Sequence, residues 1–495
     1  MKSQNSPQQN SPQQNSPRQN SPQQNSPSEA GNAQEADGET YTLSLFEESL
    51  DDGTLATDLA RFVEGIRSSG LIYHGDPVLC CFVPTVFTPS ARTLFEAITA
   101  TTVSICEKVT RGFIESPGYR SLWGLDELST GLALLDVGYA SLIPMMRADL
   151  FFDFDSAAFK FCEINTDGTS AMNEDRCAAA AFRATELFGE VTSKRRLQSQ
   201  ELFEPWVDAA LALYAEWAAG KGLSEAPRVA IVDFQEEATT QEFLEFKTRF
   251  ENRGVDALVV DMADLRYEDG VLFASGLPVN LVYRRAVSPA VIDDAHRRGI
   301  VSLGDLDGSA CEGSLALISA AKYGAVALIG GFRTLLAHSK QFFEMLWRRE
   351  TWELLDEEEI EFVRAHVPKT LSFNSGAVDL ATLVSSKDQW ILKPKSGFGT
   401  IGVFAGQEHQ ESEWRDICER LLDADYVLQE YCEQHQSRNI IPQNGGRSLE
   451  NMNYLVGLFT YSGKFVGTYI RAGRGAIIGS IRGSGVVPSF WSGEA

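Results

Sequence analysis

Residues 149–165 read DLFFDFDSAAFKFCEIN, with Phe, Leu and Ile interleaved with Asp, Lys and Glu at period two around a small-residue turn near Ser156. Strand side chains alternate between faces, so this pattern predicts a β-hairpin with one apolar and one wet face. The rest of the stretch from Tyr41 to about Gly220 follows a largely helical spacing. The pattern changes near residue 226. Val229–Val232 is a short buried strand, Gln241–Arg253 is helical, and Ala257–Asp261 is a second strand. Strand–helix–strand order predicts a parallel α/β unit. Gly270–Phe273 is a hairpin-like piece, Val279–Arg285 a strand with a basic end, and Ala325–Ile329 a strand ending in Gly330-Gly331. The last third begins with a helix carrying Lys340. Strand Trp390–Lys393, loop Pro394–Gly402 and strand Val403–Ala405 follow, then strand Tyr426–Tyr431. Tyr454–Thr460 and Lys464–Arg471 form a hairpin turning at Ser462-Gly463.

Before any of this comes a low-complexity segment. The unit Asn-Ser-Pro-Gln-Gln recurs from Asn5 to about Ser28. It has almost no apolar residue to offset the entropy of ordering, which predicts a disordered tail over 1–38. A partner-binding array is the alternative reading of the repeat. The pattern shifts then divide the chain into this tail, a helical region with the hairpin (39–225), an α/β domain (226–335) and a C-terminal domain (336–495).

Composition narrows the function. Hydrophobic residues make up 43% of the 495, which excludes a wholly disordered chain. The net charge is −25, and the only charges up to Pro27 are Lys2 and Arg18, so the acidity lies beyond the tail. Such a balance argues against nucleic acid or an anionic membrane surface as partner. No run of about 18 apolar residues exists to span a bilayer, and no apolar signal core opens the chain. Eight cysteines without a CxxC pair predict a reduced, cytoplasmic protein.

Several short motifs carry candidate chemistry. Gly397, Gly399 and Gly402 spell GxGxxG, but a strand follows where a dinucleotide fingerprint needs a helix. Walker A, HRD and DFG motifs are absent, as are HExxH and GxSxG. What remains is a strand ending in Lys393-Pro394 and a flexible glycine hairpin. Lys393 suits phosphate oxygens, and the glycines let backbone N–H groups approach them; an ordinary β-turn with a surface lysine is the alternative. YVLQEYCE (426–433) suits a strand-to-linker segment along an adenine, with Glu430 or Glu433 on the ribose, or else a plain amphipathic strand. On the early hairpin, Arg147-x-Asp149 and Glu163-x-Asn165 each place two residues on one strand face. If the strands pair, Asp149, Glu163 and Asn165 converge as hard oxygen ligands suited to Mg2+ on nucleotide phosphates, with Arg147 beside them as a clamp. Asp153 and Asp155 are competing carboxylates of a solvated face. Arg471, ending GTYIR, fits charge stabilisation at a transferring phosphoryl or acyl phosphate, or is a surface arginine.

Taken in order, Arg147-x-Asp149, Glu163-x-Asn165, Lys393-Pro394, Gln429-Glu430 and Gly467-Thr-Tyr-Ile-Arg471 resemble the synthetase domain of the glutathionylspermidine synthase-like family over roughly residues 120–475. The resemblance implies an α/β (α+β) chain with an ATP-grasp fold of permuted order and a Rossmann-like pre-ATP-grasp domain, to which VNLVYRR (279–285) is similar. It implies an ATP- and Mg2+-dependent ligase that joins a carboxylate to an amine through an acyl phosphate. A catalytically silent binding or scaffold protein and a small-molecule kinase on the same fold are the alternatives. By the resemblance, Asp149, Glu163 and Asn165 would bind Mg2+, and Arg147 and Arg471 would contact phosphates or acyl phosphate. Lys340 and Lys393 would hold the nucleotide phosphates under Gly397 and Gly399, and Gln429, Glu430 and Tyr431 would line the adenine pocket. The spacing from Asp149 to Glu163 is slightly longer than in the family, and a looser hairpin turn would absorb it. No amidase motif precedes the resembling region, so no amidase activity is expected. The partners implied are a small-molecule carboxylate and an amine, peptides and polyamines among them.

Overall fold

The computed structural model describes residues 54–493 apart from 74, 75, 195, 236–238 and 398; the repeat tail lies outside the described residues. Three sheets build the part of the molecule that matters here, and their strands are numbered in chain order. β1 (Met145–Phe152) and β2 (Phe159–Asn165) form the early hairpin. β3 (Val229–Asp233), β4 (Ala257–Asp261), β5 (Leu281–Arg284) and β6 (Ala327–Ile329) form the α/β unit. β7 (Thr370–Ser372), β8 (Trp390–Pro394), β9 (Phe404–Ala405) and β10 (Tyr426–Glu430) surround the glycine loop. β11 (Gln436–Asn439), β12 (Glu450–Tyr461), β13 (Lys464–Gly473) and β14 (Gly485–Val487) complete the C-terminal part.

The α/β unit is a parallel sheet in the order β6-β5-β3-β4. Every residue of β3 is buried. One face packs Val229, Ile231, Leu281 and Tyr283 against Tyr214, Trp217, Phe243 and Phe246 of helices Phe203–Gly220 and Thr240–Asn252. The other packs Ala230, Val232, Val282 and Leu328 against Val291, Ile292, Ala316 and Leu317 of helices Ser288–Arg297 and Ser314–Lys322. Cover on both faces is why these strands read as continuous apolar runs rather than alternating ones.

The hairpin is not a free-standing element. It joins a mostly antiparallel sheet in the order β14-β13-β12-β1-β2, with β11 on β12. This sheet therefore spans the boundary at 335/336 that the pattern shifts drew. Its apolar face, with Met146, Ala148, Leu150 and Phe161, packs on Phe95, Cys106, Val109 and Phe113 of the helix Pro89–Glu115. The other face was expected to be wet. Instead, Arg147 and Asp149 are 6% and 3% exposed, because this face forms the floor of a covered cleft. The Gly- and Ser-rich stretch after Arg471 supplies β14 at the sheet edge. It also supplies the strand Ser489–Ser492, parallel to Thr85–Phe87.

The glycine-loop sheet is antiparallel, in the order β7-β10-β8-β9, and packs Leu392 and Leu428 on Trp414, Ile417 and Leu383 of two covering helices. Among the described residues no helix is long and apolar enough to cross a membrane.

Candidate functional site

A cleft of about 230 Å³ lies between the polar face of the hairpin sheet and the glycine-loop sheet, with the C-terminal ends of β3 and β5 at one end. The twelve residues to which the resemblance gives a role all line it: Arg147, Asp149, Glu163, Asn165, Lys340, Lys393, Gly397, Gly399, Gln429, Glu430, Tyr431 and Arg471. Glu433, the other candidate for a ribose contact, is exposed and outside the lining.

The floor follows from strand register. Arg147 lies opposite Asn165 and Asp149 opposite Glu163, whereas Leu150 lies opposite Phe161. Cys162 is thus an extra residue, a β-bulge. The bulge adds one residue to the stretch between Asp149 and Glu163. It also leaves the Cys162 carbonyl to an outside partner, and Lys393 Nζ donates to it at 3.0 Å. Asn165 Nδ2 stands 3.2 Å from Asp149 Oδ2 and 3.3 Å from Glu163 Oε1, so one amide touches both carboxylates.

Cations balance these carboxylates. Arg147 donates to both oxygens of Asp149, at 2.7 and 2.9 Å, and to the Ser170 carbonyl at 2.7 Å. Lys340 Nζ is 3.4 Å from Glu163 Oε2 and donates to the Gly397 carbonyl at 2.8 Å. The adjoining backbone repeats the stitch, since Lys340 N and Ser339 Oγ both donate to the Lys395 carbonyl at 3.0 Å. Burial pushes the Asp149 carboxyl up against the pull of Arg147. Burial would raise Glu163 too, but Lys340, Lys393 and Arg147 together hold it well below the usual carboxylate range. Two carboxylates and an asparagine side chain this close would give an oxygen-only donor set once the amide turns its Oδ1, in place of its Nδ2, towards an ion, and such a set fits Mg2+. Asp153, Asp155 and His435 can also approach within 4.8 Å of one another, at the far hairpin turn. There Asp153 Oδ1 is occupied by the N–H groups of Asp155 and Ser156.

The second arginine comes from β13. Arg471 Nε donates to Tyr469 Oη at 2.7 Å, and its Nη2 is 3.6 Å from Glu174 Oε2. Burial would lower the Arg471 pKa, but Tyr469 and Glu174 hold it above its ordinary value. The glycine loop arches over this floor, with Gly397, Gly399 and Gly402 at φ of 149°, 66° and 73°. L side chains rarely adopt these angles. Beyond the loop, Ile391, Val403, Leu455, Ile477, Ile478 and Tyr431 form an apolar slot. Gln429 is buried beside it, its amide donating to Thr370 Oγ1 at 2.9 Å. Glu430 is exposed and accepts from Lys369 N at 3.1 Å.

Pattern reading missed other residues in the cleft and just behind its lining. The basic end of VNLVYRR divides its roles. Arg284 makes a fully buried ion pair with Asp167, at 2.5 Å, locking the α/β unit to the end of the hairpin. Arg285 faces the cleft and lies 2.9 Å from Glu242. Asp233 lines the same end. His338 is on the wall, its imidazole pushed down to about 4 by burial and by Lys340. Gly457 and Tyr469 complete the cross-strand row Glu163, Asp149, Gly457, Tyr469. Of these only the paired arginines and Asp167 carried a local signal, as charges at the end of apolar strands.

No family model matches the chain, and no curated protein matches it. Among solved structures it is similar to a glutathione synthetase-like effector of Globodera pallida in its apo form. The identity is 12%, the TM-score 0.52, and the match covers 88% of this chain and 96% of that one. A candidate gamma-glutamylcysteine synthetase of Methylobacillus flagellatus aligns at 10% identity over 80% of this chain and 86% of its own, with a TM-score of 0.39. The first likeness is one of fold, and the mixed α/β architecture with its several sheets is consistent with an ATP-grasp-like fold.

Proposed function

We propose that this chain is an ATP- and Mg2+-dependent ligase that joins a carboxylate to an amine, of the permuted ATP-grasp kind that its motifs resemble. In this reading residues 226–335 are the Rossmann-like pre-ATP-grasp domain. Residues 336–495, with the hairpin of the 39–225 region, make the grasp. The observation that carries the proposal is the convergence of Arg147, Lys340, Lys393 and Arg471 with Asp149, Glu163 and Asn165, from distant parts of the chain, under one glycine loop.

The triphosphate lies between the loop and the floor, and the adenine enters the apolar slot beside Gln429 to Tyr431. Lys340 and Lys393 exchange their carbonyl partners for phosphate oxygens, while Arg147 and Arg471 face the reacting end. Asp149, Glu163 and Asn165 would hold Mg2+, which when bound would supply positive charge to the phosphates. A substrate carboxylate oxygen attacks the γ-phosphorus and ADP leaves, giving an acyl phosphate. The amine nitrogen then bonds to the acyl carbon, the C–O bond to phosphate breaks, and the amine loses a proton. Positioning and fixed charge do the catalytic work, because preorganised cations meet developing negative charge without reorganising. The acidity of the chain suits a cationic amine, such as a polyamine, as second substrate.

The test is ADP release from Mg-ATP with pooled carboxylates and amines. ADP formed without dependence on any carboxylate overturns the ligase reading. A stable phosphorylated product instead of an amide identifies a small-molecule kinase. Calorimetry that finds no Mg-ATP binding identifies a silent scaffold.

A further inference from the structure

Two guanidiniums from the floor of the cleft meet at one buried ring beneath it. The Arg147 guanidinium carbon lies 5.2 Å from the Tyr469 ring centroid, and that of Arg471 lies 5.0 Å from the same centroid. The ring is 3% exposed. Its hydroxyl accepts from Arg471 Nε at 2.7 Å and donates to Glu174 Oε2. Glu174 is buried in the first turn of the helix Met172–Arg183 and is 3.6 Å from Arg471 Nη2. Like charges at one ring repel, and the carboxylates of Asp149 beside Arg147 and of Glu174 beside Arg471 offset part of that repulsion. The one aromatic ring attracts both cations, and the hydrogen-bonded Glu174 carboxylate fixes the tilt of ring and guanidinium.

We propose that Tyr469, aimed by Glu174, is the positioning residue of a two-arginine clamp that grips the phosphate groups of the nucleotide. This rests on the ATP-dependent reading above and adds two residues to it, neither of which touches the ligand. Tyr469 lies two residues before Arg471 on one face of β13, and Gly457 beside it leaves the ring open to Arg147.

Tyr469→Phe keeps the ring and removes the hydroxyl; Glu174→Gln keeps the size of the side chain and removes its charge. Calorimetry with Mg-ATP and, separately, with adenosine reads the clamp, because adenosine has no phosphate. Tyr469→Phe weakens Mg-ATP binding by about 10- to 100-fold, the worth of one hydrogen bond to a charged group, and leaves adenosine binding unchanged. Glu174→Gln gives a smaller loss of the same kind. The double variant binds no worse than Tyr469→Phe alone, since the two act through one link. Unchanged Mg-ATP affinity in Tyr469→Phe, or an equal loss for adenosine, overturns the proposal. Should Tyr469→Phe fail to fold, Glu174→Gln decides by the same comparison. Should the variants show this pattern while the wild-type chain releases no carboxylate-dependent ADP, the ligase reading falls and the clamp stands. A wild-type chain that binds no Mg-ATP sinks both.

Discussion

Gly457→Ala tests the floor of the cleft with one methyl group. Gly457 sits on β12 opposite both Asp149 and Tyr469, in the row that carries the candidate metal and phosphate groups. A Cβ there would stand 2.8 Å from Asp149 Oδ1 and 2.9 and 3.0 Å from Arg147 Cδ and Cγ, where ordinary contact begins at 3.4 Å. The Arg147–Asp149 pair must therefore move by roughly half an ångström. It has little freedom to do so, being held by two mutual hydrogen bonds and a third to Ser170. Overpacking of this kind costs roughly 1–3 kcal/mol of stability. Displacing a reacting group by up to about 1 Å costs up to about 100-fold in rate. The expected result is a folded protein whose kcat for ADP release falls about 10- to 100-fold. Gly189→Ala is the control: its Cβ meets nothing within 4 Å, and it lies in the helix Glu186–Lys194. Wild-type turnover and Mg-ATP affinity in Gly457→Ala would show that the Arg147–Asp149 pair has no part in the chemistry.

Glu163→Ala removes one oxygen ligand and the partner of Lys340, and should abolish Mg-ATP turnover while leaving the fold intact, since the side chain is 30% exposed to the cleft. Near-wild-type turnover would remove the metal assignment. Lys340→Met, which severs the links to Gly397 and Glu163, should raise the KM for ATP by roughly tenfold or more in steady-state assays; an unchanged KM would detach this lysine from the nucleotide. Asp175 gives a pH signature away from the cleft. Burial pushes its carboxyl up to about 7, although Gln200 and Ser489 donate to it at 2.9 Å. The folded state keeps this proton up to about pH 7 and the unfolded chain loses it near pH 4. Stability present at pH 4 is therefore lost as the pH rises to 7, by on the order of 4 kcal/mol. Asp175→Asn should flatten that part of the melting-temperature profile, and an unchanged slope would assign it to other groups.

Much of the site was legible because it rests on local spacing. Arg147-x-Asp149 and Glu163-x-Asn165 share a strand face by the two-residue period alone. Gly397, Gly399 and Gly402 announced a loop with unusual backbone angles. The bulge at Cys162 was not legible, because an alternating pattern is silent on where one strand gains a residue over its partner. Tyr469 and Gly457 also read as ordinary strand residues; their roles exist only beside Arg147, which comes some 300 residues earlier in the chain.

The hydrophobic pattern by itself determined the elements: the hairpin, the parallel α/β run, the glycine loop between strands and the late hairpin. It could do so because periods of 2 and 3.6 residues are set by neighbours in the chain. It also determined that the hairpin has two faces of opposite character. Only the tertiary structure decided what covers the polar face, turning an expected wet surface into the floor of a cleft. It alone paired Asp167 with Arg284 across 117 residues and brought Lys393 to the Cys162 carbonyl across 231. Such contacts leave no local trace, because a charged residue looks the same in sequence whether water or a distant partner solvates it. The meeting of five basic and five acidic side chains around one cleft is a property of the fold.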